Sequence, residues 1–306
     1  MNELVNFFKK TAITTFTRTK RGFIDFNNKI ELNNYLYSDR RPWRRGYGIY
    51  KNKYLNEVLK DPALLDIFLT SQPLPANYGY RLDARLVEIP WVLSRLQKGG
   101  LKLLDAGSSL NSEVVVTAQG LADKNLTILT LAPEGVCFWG KGISYVFGDL
   151  RNLDFKDETF DSIICISTIE HVGMDNTQYD RKNPYAIPSS QKDFLIAIKE
   201  LKRVLKLGGS LFCTFPFGKY ENHGWFQQFD SKLMDTLIEG FHPVKYSETI
   251  FKYNPDGWVI SDRESCAECQ FFDVHISKYF DPLSTIEYPP DYPAGERAIA
   301  CLELIK

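Results

Sequence analysis

The chain has 306 residues, 44% of them hydrophobic and 25% charged, which excludes disorder and fibrous architectures and suffices for one large domain or a domain with an appended part. A formal net charge of -1 offers no overall field for a phosphate backbone, so nucleic acid is not the expected partner. Residues 1–60 nevertheless hold 13 basic and 5 acidic side chains, a positive head on a negative body. No apolar run approaches the roughly 18 residues of a membrane span, and the start has its lysines after its apolar residues, unlike a secretory leader. Six cysteines are too sparse for a disulfide framework, and Cys165, Cys213 and Cys301 lie in apolar runs. A soluble, cytoplasmic protein with reduced thiols is expected.

The first hundred residues predict helical pieces over 54–70 and 82–96, separated by a Pro- and Gly-bearing segment at 71–79. Residues 1–98 therefore read as a mainly helical extension or lid. Within it, Leu4, Val5, Phe7 and Phe8 beside Lys9 and Lys10 suit packing on the protein, with weak peripheral membrane contact as the alternative. Trp43 among Arg40, Arg41, Arg44 and Arg45 reads as a solvated face, with an anion-gripping patch as the alternative.

From residue 101 short apolar runs alternate with helical stretches. Strands are predicted over 101–106, 127–131, 143–147, 160–167 and 210–215, and helices over 112–122, capped by Asn111, and 191–205, ended by Gly208-Gly209. A helix near 231–238, a strand near 244–251, an irregular aromatic and acidic stretch and a last strand over 298–305 follow. Strands apolar on both faces and alternating with helices imply a largely parallel sheet covered on both sides, hence an α/β fold. In such a sheet ligands bind beyond the carboxyl ends of the strands, where the strand order reverses. Four polar segments occupy those places: Asp105-Ala-Gly-Ser-Ser-Leu-Asn111, Gly148-Asp149-Leu150, Ser167-Thr-Ile-Glu-His-Val-Gly173, and the loop from Pro216 to Trp225.

In these segments, and in Leu201-Lys-Arg-Val-Leu-Lys-Leu-Gly-Gly209 before a strand, the sequence resembles the class I S-adenosylmethionine-dependent methyltransferases, in order from about residue 101 to 306. The resemblance implies a Rossmann-like sheet, mostly parallel with an antiparallel last strand, forming a core of 99–306 with insertions near 174–190, 216–230 and 252–296. It implies S-adenosyl-L-methionine as cofactor. Asp105 and Gly107, with Ser108, Ser109 and Asn111, match the glycine turn at the cofactor's methionine end. Ser109 and Asn111 stand where the family has later glycines, and Asn tolerates a left-handed backbone. Thr130 and Leu131 end the second strand where the family usually places a ribose-gripping carboxylate, so Thr130 offers a weaker contact unless Glu134 reaches back. Asp149 matches the acceptor of the adenine amino group, with Leu150 against the ring, and Ser167 opens the segment beside the methyl donor.

Glu170 and His171 follow the fourth strand, and with His223 they are the candidate catalytic groups, His171 as general base. Lys219, Glu221, His223, Trp225 and Gln228 combine a flat ring with directional polar groups, as sugar sites do. Tyr179 from the 174–190 insertion and Arg85, with Tyr80, Arg81, Glu88 and Trp91, are expected around the same mouth. Cys266-Ala-Glu-Cys269 has the spacing of half a zinc site, with His275 nearby, but no second Cys pair follows, and no metal is expected. The resulting expectation is methyl transfer to an oxygen or nitrogen of a polar small molecule, a carbohydrate or nucleotide-linked sugar, with an anionic acceptor among the forms expected. The alternative is a non-catalytic binding or scaffold subunit with a weakened cofactor site.

Overall fold

The computed structural model describes residues 26–306; the amphipathic stretch expected at 4–10 lies outside the described residues. Chain contacts define one unit ending at Tyr54 and a second, Leu55–Lys306. In the first, residues 26–36 are helical and buried Tyr35 meets Tyr47 edge-on at 6.2 Å. Three of its described arginines are partnered: Arg41 and Arg44 donate to Asp39, and Arg45 donates to Glu31 at 2.7 Å.

The helix expected over 54–70 is two helices. Helix α1 (Tyr47–Lys60) stops because extended Asp61 precedes Pro62, and the Asp61 carboxylate caps α2 (Pro62–Thr70), accepting from Ala63 N at 2.9 Å. Proline is tolerated in a first turn, where its missing N–H has no partner to lose. Helix α3 (Arg85–Arg95) is buried over most of its length.

The strands are β1 (Lys102–Ala106), β2 (Asn125–Thr130), β3 (Ser144–Phe147), β4 (Phe160–Ile166), β5 (Leu205–Pro216), the short pair β6 (Glu221–Asn222) and β7 (Gln227–Gln228), β8 (Lys245–Asn254), β9 (Gly257–Ser261) and β10 (Ala298–Ile305). Among the described residues the main sheet runs β3-β2-β1-β4-β5-β10-β8-β9. Neighbours from β3 through β5 are parallel, and β10, the last strand, lies antiparallel between β5 and β8. The α/β sheet with an antiparallel last strand is thus as expected. Strand β9, in the stretch read as irregular, is an addition: it pairs with the lengthened β8 around the turn at Pro255-Asp256.

Period-two alternation sends successive side chains to opposite faces. Leu211, Cys213 and Phe215 of β5 join the core with α5 (Phe194–Val204) and α6 (Ser231–Phe241). On the other face Phe212 meets Trp91 of α3 edge-on at 6.0 Å, and Trp91 donates its Nε1–H to Thr249 at 3.0 Å. Trp91 is 0% exposed, so it belongs to the core and not to a mouth.

Two boundary expectations fail for local reasons. Gly208 and Gly209 do not stop a helix ahead of a strand. They sit inside β5, where its register against β4 shifts and Gly208, at φ +73°, donates to Lys306 O. The helix expected over 112–122 shrinks to a short α4 (Glu113–Val116) and a 3-10 turn, Gln119–Leu121. Asn111 does not cap α4: its side chain donates to Val136 O and accepts from Tyr145 Oη, both at 2.9 Å. The last helix, α7, is Arg263–Cys266. Among the described residues no helix is long and apolar enough to cross a membrane.

Candidate functional site

A cavity of about 610 Å³ opens at the carboxyl ends of the parallel strands, where β1 is flanked by β2 and β4, the switch point at which open α/β sheets bind ligands. Gly107, Ser108 and Ser109 line it from the β1 side. Gly107 has φ +125°, and a Cβ there would lie 2.0 Å from Thr168 Oγ1, so no other residue fits between the two loops. Ser108, not Asn111, takes the other left-handed conformation of the turn, at φ +61°. Ser109 Oγ donates to Ile166 O at 2.7 Å, joining this turn to the end of β4.

Asp105 is fully buried behind the turn and does not line the cavity. One of its oxygens accepts from Leu110 N at 2.8 Å while Oδ1 has no partner. Burial raises its pKa to about 7, against the backbone hydrogen bonds from Leu110 and Ser109. Asn111 is likewise outside the lining, spent on the β3 side as described above.

After β2, Thr130, Leu131 and Glu134 line the cavity. Thr130 Oγ1 donates to Ala132 O at 3.0 Å. Glu134 is tied to the glycine turn: its Oε1 accepts from Ser108 Oγ at 2.5 Å. After β3, Asp149 and Leu150 also line it, but Asp149 is already engaged. Arg151 donates Nε to both its carboxylate oxygens, at 3.1 and 2.9 Å, and Nη2 to one at 2.6 Å. Arg151 also donates to Asp193 at 2.9 Å and Ser189 at 2.6 Å. An arginine two residues past the acid gives no periodic signal, so this pair was not anticipated.

The loop after β4 forms the floor. Ser167 has φ +38°, and its Oγ donates to Glu88 Oε1 at 2.6 Å. Glu88, 0% exposed on α3, also accepts from Thr214 Oγ1 at 2.6 Å and from the Arg85 guanidinium. Arg85 lines the cavity while Glu88 stands behind it. Tyr80 and Arg81 are not in the lining, and Arg81 stacks between the rings of Tyr80 and Tyr292.

Glu170 and His171 both line the floor. Glu170 is 1% exposed and its Oε2 has no hydrogen-bond partner. Burial pushes its carboxyl well above the ordinary value, and Glu88 and Glu296 add to the rise. His171 Nδ1 lies 2.9 Å from Trp225 O. A carbonyl only accepts, so the ring proton sits on Nδ1 and Nε2 is left with its lone pair. Nε2 is 3.9 Å from Glu170 Oε1. Burial lowers the His171 pKa to about 4, so the ring is neutral at pH 7.

The 174–190 insertion closes one side. Asn176, Tyr179 and Tyr185 line the cavity, and the insertion is anchored across it by Asn183 Nδ2, which donates to Leu131 O at 2.8 Å. From beyond β5 come Trp225 and Phe226, then Phe271 and Glu296, the last two from a stretch in which the sequence shows no periodicity.

The polar residues expected from the loop after β5, Lys219, Glu221, His223 and Gln228, are not brought to the cavity. His223 stacks on Phe226 with centroids 4.5 Å apart and planes 3° apart, and its Nε2 is 3.4 Å from Glu221. Glu221 accepts from Phe271 N at 2.8 Å and from Gln270 at 3.1 Å. Gln228 donates to Lys219 O and Cys269 O, both at 2.8 Å, and Lys219 itself is exposed. These groups look like a ligand platform in the sequence, but they spend their hydrogen bonds fastening one loop to another. Nor does the Cys266/Cys269 pair join the lining; Cys266 Sγ donates to Ser261 Oγ at 3.4 Å.

Residues 104–213 match the family described as a methyltransferase domain. No curated protein matches the chain. Among solved structures, the chain is similar to 1,6-didemethyltoxoflavin-N1-methyltransferase of Burkholderia thailandensis, with 11% identity, 88% of this chain and 97% of that one covered, and a TM-score of 0.44. It is similar to the YcgJ protein of Bacillus subtilis, with 12% identity, 72% and 98% covered, and a TM-score of 0.41. A SAM-dependent methyltransferase of Methanosarcina mazei gives 11% identity, 70% and 96% covered, and a TM-score of 0.39.

Proposed function

We propose that this chain, whose residues 104–213 match a methyltransferase domain, is a class I S-adenosylmethionine-dependent methyltransferase that methylates a nitrogen or oxygen of a small polar molecule held between the loop after β4 and the aromatic wall of Trp225, Phe226 and Phe271. The observation that carries the reading is the cavity at the switch point, within the segment that matches the methyltransferase domain. Its volume is in the range of small-molecule sites. The residues fit the cofactor's chemistry: hydroxyl and amino donors with a positive sulfonium call for acceptors and negative charge, and Glu134, Asp149 and Glu170 provide them along the lining. When bound, S-adenosylmethionine supplies an electrophilic methyl carbon bonded to sulfur.

Glu134, not Thr130, is the group proposed to hold the ribose hydroxyls, because its carboxylate offers charged acceptors, whereas Thr130, its proton given to Ala132 O, offers only a neutral hydroxyl oxygen. Asp149 is proposed to accept from the adenine amino group while Arg151 fixes the carboxylate's orientation. Catalysis then consists of aligning the acceptor for in-line attack and taking its proton. His171, neutral and with Nε2 unprotonated, and Glu170 are the two groups on the floor able to do the second. The support for a carbohydrate was the polar loop after β5; with Lys219, Glu221, His223 and Gln228 turned to other tasks, that narrower class is not proposed.

Calorimetry with S-adenosylhomocysteine tests the reading. One site per chain is expected, and Glu134→Ala should weaken it by about 1.5–3 kcal/mol, the size of a charge-assisted hydrogen bond, with Thr130→Ala changing it little. Absence of binding at millimolar ligand would favour a scaffold role.

A further inference from the structure

The floor of the cavity has an excess of hydrogen-bond acceptors. Glu170 Oε2 is buried without a partner, and His171 Nε2 has a lone pair because Nδ1 carries the proton. Glu296 brings a third acceptor, a carboxyl close enough to Glu88 to be raised by it to about 7 together with burial. Arg85, whose charge acts on both Glu170 and Glu296, already donates to Glu88. What is missing is a set of donors and a positive charge.

We propose that the methyl acceptor is an amine, and that Glu170 takes the proton its nitrogen gives up; this rests on the methyl-transfer reading above. An ammonium carries three N–H donors and one positive charge, whereas a hydroxyl carries a single donor and no charge. Three acceptors and uncompensated carboxyls therefore match a nitrogen better than a sugar oxygen. The wall agrees. Trp225, Phe226 and Phe271 line the same cavity, and aromatic rings attract cations.

The chemistry balances with one base. An ammonium has no lone pair, so one N–H proton passes to Glu170 Oε2, leaving a neutral amine and a carboxylic acid. In a dry pocket that neutral pair is favoured over two charges. The freed pair then forms the N–C bond as the C–S bond breaks, its electrons stay on sulfur, and positive charge passes from sulfur to nitrogen. Glu170 afterwards releases its proton to water. In the empty pocket burial favours the protonated Glu170 carboxyl; the arriving ammonium displaces that proton to water as its counter-charge, and the carboxylate so formed takes the N–H proton.

The test compares two ligands of the free protein by calorimetry: S-adenosylhomocysteine, and sinefungin, which presents an amino group where the transferred methyl would lie. Sinefungin is expected to bind at least about tenfold tighter, a gap of about 1.4 kcal/mol. Glu170→Gln should bring the two within about threefold, by weakening sinefungin more than S-adenosylhomocysteine. Equal affinities in the wild-type protein would overturn the proposal, even if the variant failed to fold, and so would a preference that survives Glu170→Gln. Failure of S-adenosylhomocysteine itself to bind would instead remove the methyl-transfer reading, and this inference with it.

Discussion

The two ends of the cavity treat charge in opposite ways. At the β3 end, Asp149 is clasped by Arg151, and Arg151 is clasped in turn by Asp193 and Ser189. At the floor, Glu88, Glu170 and Glu296 share one arginine, and Glu170 keeps an oxygen without a partner. A carboxylate paired inside the protein mainly holds elements together, since the pair has already met its electrostatic demand. A buried carboxyl left unpaired costs stability unless a ligand meets it. The contrast separates acceptors whose orientation the protein itself fixes, Asp149 among them, from acceptors that await an occupant.

Breaking the satisfied end should have the largest effect on stability. Arg151→Ala leaves Asp149 and Asp193 facing each other without a cation and is expected to cost about 3 kcal/mol in urea unfolding, near the low end for a buried pair that loses one partner. Adding Asp149→Asn should recover part of that loss; full additivity of the two changes would mean that the pair is not coupled.

Asp105 sharpens the comparison from the unsatisfied side. Its pKa of about 7 lies above the unfolded value of about 3.9, so the folded chain binds more protons between these values and loses stability as pH rises from about 4 to 7. Asp105→Asn should therefore stabilise the ligand-free protein by about 2 kcal/mol at pH 8 and by little at pH 4. Melting curves at both values measure this, and a pH-independent shift would contradict it.

His171 works in the other direction. With a pKa of about 4 when folded against about 6.5 unfolded, it makes the unfolded state bind more protons in that interval, so its contribution falls as pH drops from about 6.5 to 4. His171→Gln should flatten that part of the stability profile, by about 1–2 kcal/mol. An unchanged profile would place the titration elsewhere.

The smallest effect belongs to His223. Because it stacks on Phe226 outside the lining, His223→Ala should cost about 1 kcal/mol of stability, as for a lost aromatic pair. Turnover of any acceptor should change less than about threefold. A hundredfold loss would show that the loop after β5 moves into the site.

Much of the fold was legible in the sequence because its signals are local. The Ile-rich run of β4, the spacing of Phe194, Ile198 and Leu201 and the positions of polar segments after strands all follow from period and burial. Where elements end was less legible: Gly208-Gly209 is a helix stop by composition and a bulge in β5 by pairing. The site divides the same way. Glu170, His171, Gly107 and Asp149 could be placed because each follows directly on a strand. The partners of Gln228 and Glu221 lie about residue 270, and no spacing within 216–230 reveals that the loop's polar groups are already occupied. Arg151 and Glu296 were missed because pairing across the fold, not local pattern, gives them meaning.

The link from Glu88 to Ser167 and Thr214 has a consequence for the order of assembly. Its two hydroxyl partners lie 79 and 126 residues further along the chain, and contacts that distant form only after the cost of closing a long loop has been met. During synthesis α3 emerges first, and its carboxylate must stay hydrated until β4 and β5 arrive to cover it. The floor of the cavity is therefore among the last parts of this molecule to exist, and a nascent chain that has not yet released residue 214 has a helix but no site.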